Sequence, residues 1–233
     1  MSRPPVKRRA VRNPQPQPII GDMLSHIQFT TRISCDSDEP DRIILCFDGD
    51  IFVCAEATMT NIGHISAYVI QRGRAMNEGV DLCDAMDARS SATAECFVAL
   101  FDMKTHEWNA SVEEIYVAIC ENDVLFIESL ELKKKYRGDG IGARVVRETI
   151  VTLGSNCGLV VCKPFPLQYS GWMAEENEAR RERPDFEQKR LADFRKVQEF
   201  WERLGFQQLR GSEFYAFSPE WKEQPMRKVA FLQ

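Results

Sequence analysis

Arg137 opens a run in which Gly138, Gly140 and Gly142 stand at every second position, and Lys133, Lys134 and Lys135 lie just upstream. Glycines let a backbone approach an anion closely and adopt positive φ. A helical pattern follows in "ARVVRETIVTLG", and the first turn of a helix offers free N–H groups and a partial positive charge. Together these predict a phosphate or pyrophosphate held at a strand-to-helix turn. The plainer alternative is a tight turn with no ligand. A nucleotide P-loop requires Lys-Ser or Lys-Thr after the glycines, and neither is present. Gly138, Gly140 and Ala143 satisfy the GxGxxA dinucleotide fingerprint. That fingerprint usually opens its fold, whereas roughly 120 residues come first here. Its acid, expected about 20 residues further on, is replaced by Cys162 and Lys163.

The segments that must position this loop alternate in type. "HIQFTTRIS", "RIILCF" and "DIFVCAEATM" read as strands, with "DGD" (Asp48 to Asp50) as a hairpin turn between the last two. "IGHISAYVIQRG" places Ile65, Ala67 and Val69 on one face. From Val80 to Phe101 the period becomes helical, weakened at Ser90 and Ser91. "VEEIYVAIC" reads as a further strand. "DVLFIESLEL" (123–132) is the strand before the loop, and Gly154 caps the helix after it. "GLVVCKPFPL" is a short buried strand ended by two prolines. Strand, helix and strand make a βαβ-like unit, although the pattern does not fix parallel pairing. Residues 172–199 are densely charged and read as one or two solvent-facing helices. "FRKVQEFWERLGF" brings Phe194, Val197, Phe200, Trp201 and Leu204 to one stripe and stops at Gly205. "EFYAFSP" is a last strand.

The stretch "LELKKKYRGDGIGARVV" fits [RQ]-x-x-G-x-[GA] from Arg137 to Gly142 and resembles the acetyl-CoA loop of the GNAT superfamily of N-acetyltransferases. "FWERLGF" is similar to the late helix of that family and its Gly-Phe exit. The likeness is sharp over about 123–162 and looser over 194–217. It implies an α/β fold of the α+β type, with a mixed, mostly antiparallel sheet flanked by helices. It also implies a single domain over residues 21–233, with a charged helical insertion near 168–193. Its implied function is acetyl transfer from acetyl-CoA to a primary amine by direct attack on the thioester. The implied coenzyme contacts are Leu130, Glu131 and Leu132 on the strand edge and Arg137, Gly138, Asp139, Gly140, Ile141, Gly142 and Ala143 in the loop, with Ala143 starting the helix. In the family the strand splays from its neighbour at a bulge and the pantetheine arm pairs with the exposed edge. A backbone N–H there stabilises the tetrahedral oxyanion.

Glu128 is the implied general base. Strict alternation places it on the face of Leu130 and Leu132, with Glu131 opposite. The tyrosine that many relatives use as acid is replaced here by Trp201, which has no useful proton; Tyr169, Tyr215 or water are the substitutes. That departure favours an alternative, a noncatalytic acyl-CoA-binding module. A nucleotide-dependent oxidoreductase rests on GxGxxA alone.

Composition sets the outer limits. The chain has 233 residues, 44% hydrophobic and 28% charged, enough to fill a core without disulfide or metal staples. Eight cysteines form no CxxC pair and mostly sit in apolar runs, so reduced thiols in a cytoplasmic protein are expected. No apolar run suits a signal peptide or a membrane span, so no membrane partner is expected. His26, His64 and His106 lack metal spacing, and no metal is expected. Residues 1–20 read as a disordered, proline-rich basic tail. Its first 18 residues hold Arg3, Lys7, Arg8, Arg9 and Arg12 and no acid. The formal charge is -5; removing those five cations leaves 25 basic against 35 acidic residues, about -10 for the body. An acidic body argues against nonspecific nucleic-acid binding and favours a cationic acceptor, a small-molecule or protein amine.

Overall fold

Strand after strand in this chain reverses and pairs antiparallel with its sequence neighbour, until one helical crossover brings the next strand back in the same direction. The computed structural model describes residues 24–32, 39–55, 58–116, 123–169 and 184–219. The strands are β1 (Leu24–Arg32), β2 (Ile44–Ala55), β3 (Thr58–Ile70), β4 (Asp123–Leu132), β5 (Cys157–Cys162), β6 (Gln207–Gln208) and β7 (Tyr215–Phe217). They form one open sheet in the order β1-β2-β3-β4-β5-β7-β6. Every pairing is antiparallel except β4 with β5. The βαβ-like unit is therefore a parallel crossover.

Helices cover both faces. On one lie α1 (Arg72–Glu78), α2 (Leu82–Arg89), α3 (Ser91–Leu100) and the helical turn α4 (Ala110–Glu113), burying Leu82, Met86, Phe97 and Leu100 against Tyr68, Val124 and Phe126. On the other lie α5 (Ile141–Leu153) and α6 (Phe186–Arg203), burying Val145, Val146, Trp201 and Leu204 against Ile65, Ala67, Leu125 and Ile127. The protein is thus a mixed α/β structure with a mostly antiparallel open sheet flanked by helices. Among the described residues no helix is long and apolar enough to cross a membrane.

Three local expectations change. Asp48-Gly49-Asp50 is not a turn: β2 runs straight through it, paired on both sides by β1 and β3. Cross-strand partners satisfy the polar residues, since Ser66 Oγ donates to Asp48 at 3.2 Å and Asn61 Nδ2 to Asp50 at 3.1 Å. The reversal comes later, where Ala55 pairs with Thr58. The single helix expected over 80–101 is two, because Ser90 is extended (φ -171°, ψ 160°) and its Oγ accepts the Thr93 N–H at 3.1 Å as the cap of α3. "VEEIYVAIC" begins as the turn α4 rather than as a strand; its residues 117–120 lie outside the described set. So do the basic tail and residues 170–183 of the charged segment. The described remainder of that segment is α6, mostly solvent-facing, with Trp201 its one buried residue.

Candidate acyl-coenzyme site

Parallel pairing between β4 and β5 runs from Asp123 to Ile127, where Ile127 faces Cys162, and then stops. β4 continues for five more residues. β5 gives way to Lys163-Pro164-Phe165-Pro166, whose prolines have no N–H to continue a ladder. The hydrogen-bonded ladder ends at that point, leaving a gap in the pairing between the two strands.

A bulge sits at the same place. Ser66 pairs with Ser129 and Ala67 with Ile127, so Glu128 is the extra residue in β4. An extra residue breaks the two-residue alternation. Leu125 and Ile127 face the α5 side before the bulge, and Leu130 and Leu132 face it afterwards. Glu128 instead faces the α1–α3 side, where Tyr68 Oη donates to Glu128 Oε2 at 2.9 Å. Glu131, opposite His64, shares that face. Glu128 and Leu130 therefore lie on opposite faces, and Glu128 and Glu131 on one face, the reverse of strict alternation.

Backbone polarity beyond the bulge follows from the register. Lys133 N donates to Ile62 O at 2.8 Å, which makes 62–133, 64–131 and 66–129 the hydrogen-bonded pairs. Strand β3 comes so close at Gly63 that a Cβ there would collide with the Glu131 carbonyl, which turns toward it. Leu130 and Leu132 occupy the alternate pairs, so their N–H and C=O groups point into the gap. Leu132 O is taken by Arg137 Nε at 2.6 Å. This bond ties Arg137 to the end of β4 while using one of its five donors.

The loop then enters α5. Gly138 (φ +102°) and Gly140 (φ +76°) are left-handed, and Gly140 caps the helix with no side-chain hydrogen bond. No side chain among the described residues thus caps the first-turn N–H groups of Ile141, Gly142 and Ala143. The helix begins at Ile141, two residues earlier than expected. Asp139 is exposed in the loop. Gly142 lies beside Phe200, where a Cβ would make ordinary contact at 3.5 Å. Lys133 Nζ is committed to Asn61 O at 2.6 Å, and Lys135 Nζ lies 4.7 Å from the Tyr136 ring. Lys134 is exposed.

The substitutes for a proton donor are buried or engaged elsewhere. Trp201 is buried against Phe200 and Phe206. Tyr169 Oη donates to Asp193 at 3.0 Å. Tyr215 pairs with Cys162, and burial, then Glu202 and Cys162, push its phenol up. Lys163 is the first residue past β5; burial opposes its charge, but Glu95 at 2.7 Å and Glu213 at 3.0 Å outweigh it and raise its pKa. Sequence reading missed Tyr68, because nothing in a strand pattern shows which cross-strand neighbour a bulge will present. Among the described residues no group of three or more His, Cys, Asp or Glu side chains could hold a metal. Compared with known protein families, characterised proteins and solved structures, the chain finds no match.

Proposed function

We propose that the protein is an N-acetyltransferase that moves an acetyl group from acetyl-CoA to a primary amine. The observation that carries this reading is the parting of β4 from β5 at the bulged Glu128, which leaves the Leu130 backbone open beside a glycine-started helix. An extended amide-containing chain such as pantetheine can pair with Leu130 N–H and C=O as an added strand. Its pyrophosphate would sit on the N–H groups of Ile141 to Ala143, helped by the helix dipole and Arg137. Glu128 would take a proton from the acceptor ammonium. The freed nitrogen lone pair forms the C–N bond at the thioester carbonyl, and a gap-facing N–H, that of Leu130, steadies the oxyanion. Collapse breaks the C–S bond. The bonded nitrogen gives up its second proton to water, and water returns one to the departing thiolate, since Trp201 has none of useful acidity, Tyr169 is bonded to Asp193 and Tyr215 is buried. The acidic body suits a cationic acceptor.

The burial of Trp201 favours a second reading, a noncatalytic acyl-CoA-binding module. Calorimetric titration with acetyl-CoA and, separately, NADPH tests both. Acetyl-CoA should bind and NADPH should not; the reverse result removes the coenzyme A reading. Binding with no transfer across an amine panel selects the noncatalytic module. In an active protein, Glu128→Gln should lower kcat about 100-fold or more with acetyl-CoA affinity little changed.

A further inference from the structure

We propose that Tyr68 is the positioning residue for Glu128, holding its carboxylate in one orientation at the mouth of the gap. The inference rests on the reading of Glu128 as general base. As the extra residue of a bulge, Glu128 has no directly opposed strand residue to fix it. Its side chain is held instead by the Tyr68 hydroxyl, at 2.9 Å from Oε2.

Tyr68 is itself clamped. It is 7% exposed, and its ring packs on Phe126 with centroids 6.0 Å apart. The Arg89 guanidinium lies 5.5 Å from the ring centre on the helical side. Arg89 ends α2 and pairs with Asp41 at 3.6 Å, so the cation is anchored independently of Glu128. A ring pinned between sheet and helix gives its hydroxyl one direction. That hydroxyl is a permanent donor, because burial, and then the Glu128 charge, push the phenol up to about 12.

The consequence is a division of labour between the two carboxylate oxygens. Oε2 is spent on Tyr68, and Oε1 has no hydrogen-bond partner among the described residues. Oε1 is the oxygen left to receive the ammonium proton. The other cation near the gap, Lys163, is held by Glu95 and Glu213 and does not pair with Glu128. Without Tyr68 the carboxylate rotates freely, and fewer collisions with the amine are productive.

The test uses the full chain with acetyl-CoA and the best amine of a panel. Tyr68→Phe should lower kcat about tenfold while acetyl-CoA affinity stays within about twofold. In a Glu128→Gln background, Tyr68→Phe should have no further effect, because a residue that acts through another is silent once that one is gone. Unchanged kcat in Tyr68→Phe, or a loss that repeats in full in the Glu128→Gln background, overturns the proposal. Should the Phe variant fail to fold by circular dichroism, Arg89→Gln takes its place. Loss of the cation that pins the ring should cost about threefold in kcat alone, and no loss overturns the proposal. No transfer by the unaltered protein overturns the general-base reading and this one with it. Turnover by the unaltered protein thus separates the two failures.

Discussion

Gly138 and Gly140 hold φ of +102° and +76°, and nothing lies within 4 Å of where a Cβ would sit on either. The demand for glycine is conformational rather than steric. Gly140→Ala should therefore destabilise the fold by about 1–2 kcal/mol, read from urea midpoints, and should weaken acetyl-CoA binding through the displaced loop. A stable variant with full affinity would show that this backbone does not shape the site. At this scale the loop was legible, because the spacing from Arg137 to Gly142 is local chemistry. The orientation of Glu128 was not. Alternation predicts its face only while the ladder is regular, and the bulge that reverses it is a property of the pairing between β3 and β4.

Helix α3 shows what a single side chain does for an element. Ser90 leaves helical geometry, and its hydroxyl accepts the Thr93 N–H in place of a missing helical partner. Thr93 Oγ1 reaches back to the Met86 carbonyl and joins the two helices at the break. Ser90→Ala should cost about 1 kcal/mol and lower Tm, whereas Ser90→Asp should retain most of the stability. Equal losses in both would place the effect outside the cap. The weak centre of this helix was visible as two adjacent serines. The passage of β2 through Asp48-Gly49-Asp50 was not, since a turn signal is read from one chain segment. The strand is held by partners from two others. The same reason undoes the start of "VEEIYVAIC", where Val112 is buried by a helical turn.

At the scale of the whole molecule, Asp123 is a carboxylate that opposes stability at neutral pH. Asp123 starts β4 partly buried; burial raises its pKa above the ordinary 3.8, and the Gly73 N–H at 3.1 Å pulls weakly the other way. The folded state then holds the proton more tightly than the unfolded chain. Stability falls as pH rises through the window that starts near the unfolded value, and stays reduced above it. Asp123→Asn keeps an acceptor for Gly73 and cannot ionise. It should raise Tm at pH 7, with the advantage gone near pH 3; a lower Tm at pH 7 would show that the charge is favourable. By itself the sequence determined the mixed α/β class, the strand–loop–helix that carries the glycines, and the packing stripes of β3, α5 and α6. Each of these is written in a local period of two or 3.6 residues. Only the tertiary structure decided where β4 leaves β5, which residue bulges, and that Tyr68 meets Glu128 across 60 positions of chain. Those depend on register between segments distant in sequence, and no local period encodes register.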